Sequence, residues 1–140
     1  LRAFARWVPA IEPAAMRSAY ESADVVVNGS LSEGLSNVLL EAKAAGKPLL
    51  ASDIPGNRWP VLGDPGDAPM GLLFDPSDPA DFVAKALRLI DDPARRRTLG
   101  EAGAAYARRM PGPGDEARAL VAAYEAAMGH ARGQRAGGRE

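Results

Sequence analysis

Two short runs constrain the fold of this chain more than any other feature. Asp24-Val25-Val26-Val27-Asn28 and Leu49-Leu50-Ala51-Ser52 are almost wholly apolar, with no alternation of polar positions. A strand with one face in water alternates, whereas a strand without alternation is buried on both faces, as in parallel sheets covered by helices. Between the runs, Leu35, Val38, Leu39 and Ala42 stand at i, i+3, i+4 and i+7, so residues 34–45 read as a helix. Gly46 and Pro48 punctuate its end. Strand, helix, strand in that order implies a parallel pair with a right-handed crossover.

The same alternation extends in both directions. Residues 4–8 form a short apolar run closed by Pro9, read as a first strand, and residues 12–22 read as a helix with Ala15, Met16, Ala19 and Tyr20 on one face. Gly71-Leu72-Leu73-Phe74 reads as a further buried strand. The expected architecture is therefore α/β, a parallel sheet of about four strands flanked by helices. A helical C-terminal part follows, with helices over 79–91, 93–110 and 115–128 separated by Asp-Pro and Pro-Gly-Pro-Gly breaks. Residues 63–70 read as a long Gly/Pro/Asp loop. From Gly129 the chain is rich in Gly and Arg and is expected to be a disordered tail.

The bulk properties exclude more than they specify. A chain of 140 residues fits one domain with a real core. A net charge of −1 gives no general attraction to nucleic acid or anionic membrane, so no nucleic-acid partner is expected. With no cysteine, disulfides and thiolate metal sites are ruled out. No apolar run reaches the roughly 18–20 residues that a membrane-spanning helix needs, and Arg2 and Arg6 interrupt the first apolar stretch. A cytoplasmic setting is expected. The chain begins without Met and is expected to start inside a longer protein.

In open parallel sheets, ligands bind beyond the carboxyl ends of the strands. That rule directs attention to residues 28–34, 52–59 and 74–78. In the first of these, a buried strand ends, small polar residues follow and a helix begins. A helix start presents unpaired N–H groups and partial positive charge, and Gly34 lets a phosphate approach the backbone closely. Ser36 and Asn37 add side-chain donors. Glu33 and Glu41 bracket this stretch, and a carboxylate accepts well from the vicinal hydroxyls of a sugar. Two plainer readings stand beside this one. Ser30-x-x-Glu33 also fits a helix capping box, and Glu41 also fits a solvated helix face beside Lys43.

The segment Ser32-Glu33-Gly34-Leu35-Ser36-Asn37-Val38-Leu39-Leu40-Glu41-Ala42 followed by Gly46-Lys47-Pro48 resembles the signature of retaining GT-B-type glycosyltransferases, the glycosyl transferases group 1 class, in which two glutamates are separated by seven residues. Ile54-Pro55-Gly56-Asn57, Gly71-Leu72-Leu73-Phe74, Asp78-Pro79, Asp92-Pro93-Ala94 and Leu99-Gly100 continue the resemblance, which runs from about residue 4 to about 106. The wording around Glu33 and Ile54 is most similar to the glycosyltransferase 1 domain-containing protein 1 group. The resemblance implies a partial Rossmann-like domain, the C-terminal half of the GT-B fold, over residues 1–128, with the tail at 129–140. It implies a nucleotide-sugar donor and an acceptor that the sequence does not name. By resemblance, Glu33 is the catalytic-centre residue that meets donor sugar hydroxyls. Gly34, Leu35 and Ser36 offer backbone N–H groups to the diphosphate, Glu41 holds the ribose, and Val8 falls near the base. Family members often carry Pro-Ser where this chain has Gly29-Ser30.

The resemblance also marks what is missing. Such enzymes use an N-terminal acceptor domain and an Arg/Lys pair from an earlier strand of the donor domain, and the chain is expected to lack both. Arg58, Lys43 and Lys47 do not occupy the positions of that pair. Leaving-group stabilisation is a large electrostatic term, so this polypeptide alone is expected to be a poor enzyme. No cofactor and no metal are expected. His130 reads as a surface residue, and Asp75, Asp78, Asp81, Asp91 and Asp92 read as turn and cap residues. Arg95-Arg96-Arg97 reads as a solvated face, and Trp59 as core or loop packing, with the donor pocket as the alternative. Two other readings stay open: a non-catalytic nucleotide-binding or protein-interaction module, and a fragment of a sugar-nucleotide epimerase of the same architecture.

Overall fold

The computed structural model describes residues 4–136. Within the first of two compact units, residues 1–108, three strands form one parallel sheet in the order β1-β2-β3. They are β1 (Val26–Asn28), β2 (Leu49–Ser52) and β3 (Gly71–Phe74). Helix α1 (Pro13–Ser22) precedes β1, α2 (Asn37–Ala44) joins β1 to β2, and α3 (Pro55–Leu62) joins β2 to β3. Helices α4 (Pro79–Ile90) and α5 (Pro93–Arg109) follow. The second unit, residues 109–140, contains α6 (Pro113–Ala136), which runs past the 128 boundary read from the sequence. Residues 137–140 of the expected tail lie outside the described residues.

Strand β2 is buried as its composition predicts, whereas β1, at the edge of the sheet, is not: Val26 is half-buried and Val27 is 50% exposed. All four residues of β2 are buried. Leu49 and Ala51 face a cluster with Tyr20, Leu39, Ala42 and Val61, which come from α1, α2 and α3. Leu50 faces the other way, into a cluster with Phe74, Leu89 and Leu99, from β3, α4 and α5. Two-residue periodicity thus sends successive side chains into two separate cores, and burying each such leucine stabilises by about 1.5–3 kcal/mol. Helices cover both faces of β2, the arrangement that its unbroken apolar run requires.

Three expectations need correction. The sheet has three strands, because residues 4–8 form no strand: Phe4 is 96% exposed and Trp7 is 87% exposed. A strand exists through its ladder, and this segment pairs with neither β1 nor β3. The helix read from residue 34 begins at Asn37, with Ser36 as its N-cap and Gly34 and Leu35 in the preceding bend. Residues 52–59 are not one open loop, since α3 starts at Pro55. Proline suits a first helical turn, and Pro60 inside α3 costs one N–H that would have bonded the Gly56 carbonyl. Burial of Asn57, Pro60 and Val61 holds this short helix in place.

Elsewhere the punctuation is as read. Gly46 follows α2 at φ +71°, a left-handed conformation that glycine adopts without steric cost. Asp78 caps α4 by accepting from the Ala80 N–H at 2.9 Å, and Asp92 accepts from the Arg95 N–H at 2.8 Å. Asp75 accepts from Ser77, and Asp81 accepts from the Asp75 N–H. Arg96 departs from the solvated-face reading, because its Nη1 donates to the Leu89 and Ile90 carbonyls at the end of α4. Trp59 packs edge-on against Tyr106 and donates to Asp64, the packing role.

Candidate donor site

Parallel strands bring the carboxyl ends of β1 and β2 side by side, Asn28 opposite Ala51 with Ser52 one residue beyond. The loop between β1 and α2 lies over these ends, and side chains fix it. The Asn28 side chain is buried. Its Oδ1 accepts from the Ser30 N–H at 2.8 Å, and its Nδ2 donates to Ser36 Oγ at 2.8 Å and to Glu33 Oε1 at 3.5 Å. Ser30 Oγ donates to Glu33 Oε1 at 2.8 Å. The Ser30–Glu33 pair is therefore a side-chain contact within a loop and not a capping box, since no helix starts there.

These contacts leave two things open. Both hydrogen bonds to the Glu33 carboxylate reach Oε1, so Oε2 remains for a ligand hydroxyl. Helix α2 has no side-chain cap, because its N-cap Ser36 is turned to Asn28. The N–H groups of its first turn keep the donor capacity and partial positive charge of an uncapped helix start. Gly34 has open space where a Cβ would project, and Leu35 is half exposed. Ser36 as a whole residue is 2% exposed, so its hydroxyl organises the loop, and the exposed residues immediately before it are Gly34 and Leu35.

Glu41 lies about 7.5 Å further along the helix axis than Ser36, at 1.5 Å per residue. Its Oε2 accepts from the Tyr20 hydroxyl at 2.9 Å, a bond between α1 and α2. Burial, then the hydrogen bond and negative charge of Glu41, push the Tyr20 phenol up to about 12, so it stays a donor across the physiological range. The pair forms one wall of a groove of about 380 Å³ between α1 and α2, with Met16, Arg17 and Ala45 among its other walls. Glu41 is thus on the helix surface, as the plainer reading has it, but held and facing a groove.

The cations near the sheet are engaged elsewhere. Arg58 pairs with Asp53, and Lys47 Nζ donates to the Glu21 carbonyl at 2.8 Å. Lys43 is fully buried, with Nζ 4.7 Å from the Trp59 ring centroid and 4.3 Å from that of Tyr106. Burial lowers its pKa, and the charges of Asp64 and Asp67 oppose the shift. Val8 is half exposed, outside this constellation. Among the described residues, no group of three or more His, Cys, Asp or Glu side chains is placed to hold a metal ion, and no helix is long and apolar enough to cross a membrane.

The sequence singles out Glu33, Gly34, Leu35, Ser36 and Glu41 as candidates, and the structure joins to them Asn28, Tyr20, Ser52 and Asn57, which the sequence does not single out. Asn28 carries a usable signal, a polar residue at the end of an apolar strand. Tyr20 reads as core from its helix spacing, which its ring satisfies, and nothing in the spacing reports where its hydroxyl goes.

Residues 3–92 match the family described as Glycosyl transferases group 1. The chain is 35% identical over 127 residues to a D-inositol 3-phosphate glycosyltransferase of Kineococcus radiotolerans, covering 88% of this chain and 29% of that protein. It is 42% identical over 74 residues to the glycosyltransferase 1 domain-containing protein 1 of Xenopus tropicalis, covering 53% of this chain and 20% of the relative. The structure of sucrose-phosphate synthase from Thermosynechococcus elongatus superposes with a TM-score of 0.69 at 29% identity, over 80% of this chain and 27% of that one. The chain thus spans under a third of the length of these relatives. With its parallel sheet, its uncapped helix start bracketed by two glutamates and this span of similarity, the chain belongs to the glycosyl transferases group 1 family.

Proposed function

We propose that this chain is the donor-binding portion of a retaining glycosyltransferase, taking a sugar from a nucleotide-diphosphate sugar to an acceptor held by another part of a longer protein. The observation that carries the reading is the uncapped start of α2 between two restrained carboxylates. The diphosphate lies against the backbone N–H groups of Gly34, Leu35 and Ser36, where helix-end charge favours an anion. Glu33 Oε2 accepts from a hydroxyl of the donor sugar, and Glu41 Oε1 accepts from the ribose. Binding needs no metal in this reading, because the phosphates meet N–H donors and the carboxylates meet hydroxyls. The reading carries a cytoplasmic setting with it.

A second reading applies to the polypeptide by itself. With Arg58, Lys47 and Lys43 engaged elsewhere, none of these three is free to neutralise the charge that develops on a departing diphosphate. The isolated chain therefore acts as a nucleotide-binding module with little turnover. Calorimetry with UDP and GDP tests both readings. Binding is expected, and Glu41→Ala should weaken it by about tenfold or more, the loss of one charge-assisted hydrogen bond. Undiminished affinity in Glu41→Ala would remove the ribose role, and no binding of either nucleotide would remove the donor site.

A further inference from the structure

We propose that Ser52 and Asn57, on the strand and helix behind the donor loop, are positioning residues that set the Glu33 carboxylate for the donor sugar; the proposal rests on the donor-site reading above. Ser52 and Asn57 are both fully buried polar side chains. A fully buried polar side chain is costly unless satisfied; Asn57 Oδ1 has no hydrogen-bond partner, and the bonds that the pair does make lead toward the loop. Asn57 Nδ2 donates to the Ser52 carbonyl at 3.1 Å and to Ser52 Oγ at 3.0 Å. Its two donor hydrogens are thereby spent on one residue. Ser52 Oγ, accepting from Asn57, has its single hydrogen committed to the Ser30 carbonyl. Ser30 in turn donates through Oγ to Glu33 Oε1 at 2.8 Å. Each hydroxyl in the series has one proton, so the direction of every bond is determined, and the series ends on the carboxylate.

A second observation, independent of these bonds, has the same sense. A Cβ placed on Gly56 would lie 2.3 Å from the Glu33 carbonyl oxygen and 2.7 Å from its carbonyl carbon. The first turn of α3 thus rests directly on the Glu33 backbone. Glu33 is held from its side chain by the Asn57–Ser52–Ser30 series and from its main chain by Gly56. Asn28 reaches the same carboxylate oxygen from β1 at 3.5 Å. What results is one fixed oxygen and one available oxygen, an orientation suited to a particular hydroxyl of a bound sugar. Helix α3 contributes no ligand contact in this account. It acts through the loop, with Asn57 as the buried anchor and Ser52 as the link.

The role separates from general structural support by the contribution of the sugar to affinity. Calorimetry on the wild-type chain, Ser52→Ala and Ser30→Ala would compare UDP with UDP-glucose and UDP-N-acetylglucosamine, and GDP with GDP-mannose. Ser30→Ala cuts the same series at a half-buried loop position, so a folding defect at buried Ser52 would not mask the result. The affinity gained from the sugar is expected to fall by about tenfold in both variants, as for a misplaced charge-assisted hydrogen bond, with UDP and GDP affinities held within about twofold. Amide exchange at residues 30–33 is expected to rise in Ser52→Ala. Equal losses for nucleotide and nucleotide sugar, or no loss for either, overturn the proposal. So does a wild-type chain that binds UDP or GDP but gains nothing from any attached sugar. A wild-type chain that binds no nucleotide sinks the donor-site reading instead. In that case exchange still decides the positioning, which fails if residues 30–33 are equally protected in Ser52→Ala.

Discussion

Gly56→Ala isolates the contact between α3 and the donor loop. The added Cβ would meet the Glu33 carbonyl oxygen at 2.3 Å, its carbonyl carbon at 2.7 Å and its Cβ at 2.8 Å, whereas real Cβ contacts essentially never fall below 3.0 Å. All three atoms are rigidly attached to the Glu33 main chain, so no flexible tip can yield. The separation must open by about 1 Å, the scale of overpacking that costs roughly 1–3 kcal/mol. Helix α3 is anchored by buried Asn57, Pro60 and Val61, so the loop takes most of the movement. For a domain of this size each kcal/mol moves Tm by about 3–5 °C, which puts the expected fall at roughly 3–15 °C. Loss of the proposed Glu33 hydrogen bond to a donor sugar should remove roughly 10- to 100-fold of the affinity that the sugar adds. Differential scanning calorimetry and titration with UDP-sugars measure the two effects. Gly29→Ala is the control for stability, since its Cβ would meet nothing within 4 Å. A Gly56→Ala chain that melts with Gly29→Ala and wild type would refute the steric reasoning. One that melts lower but keeps full sugar-dependent affinity would refute the link to Glu33.

Two further outcomes follow from the buried polar groups. Tyr20→Phe removes one hydrogen bond to Glu41 and keeps the ring, so UDP affinity should drop by about three- to tenfold while 2′-deoxy-UDP, which offers Glu41 one hydroxyl fewer, loses less; equal losses would count against a role at the ribose. Lys43→Met should raise stability at pH 7 by about 1 kcal/mol, because a desolvated ammonium without a hydrogen-bond partner is replaced by an apolar chain of similar length. Since the folded-state pKa of Lys43 is lowered, the unfolded chain holds more protons as pH rises toward 10.5, so wild type gains stability with pH and the advantage of Lys43→Met narrows as pH rises from 7 toward 10.5. Urea titrations across that range check it, and an advantage that widens with pH would contradict the sign.

Much of the scaffold was legible because it depends on periodicity. Leu49-Leu50-Ala51 has no polar alternation, and both of its faces are buried. Gly46 and the Asp-Pro pairs marked helix ends, because backbone geometry and capping are local properties. Residues 4–8 misled for a complementary reason: β propensity describes a segment, but a strand requires a neighbour, which composition does not supply. Helix α3 was hidden by Pro55, Gly56 and Pro60, which read as loop residues until burial of Asn57 and Val61 is known. At the candidate site, the Gly-Ser loop and the two glutamates were readable from their chemistry and spacing, and their proposed roles from resemblance. The residues that orient them were not. Tyr20 and Glu41 are 21 residues apart, and Ser30 and Ser52 are 22 apart, so their pairing exists only once the sheet has formed. Lys43 shows the same limit, a charged residue on an expected outer face that tertiary packing encloses between two rings.

The order of the sheet has a consequence for how the site is divided along the chain. Because β1, β2 and β3 lie side by side in the order in which they are threaded, the groups described around Glu33 all come from one stretch: Asn28 from β1, the loop and Ser36 that follow, Ser52 from the end of β2, and Gly56 and Asn57 from the turn after it. With Tyr20 just before, a single contiguous cassette of under forty residues contains each of these parts. After it in the same unit, β3 pairs with β2, and α4 and α5 send Leu89 and Leu99 into the cluster around Leu50 and Phe74. Sequence change downstream can therefore reshape α4 and α5 without touching these contacts, whereas an insertion between Tyr20 and Asn57 would separate groups that are bonded to one another.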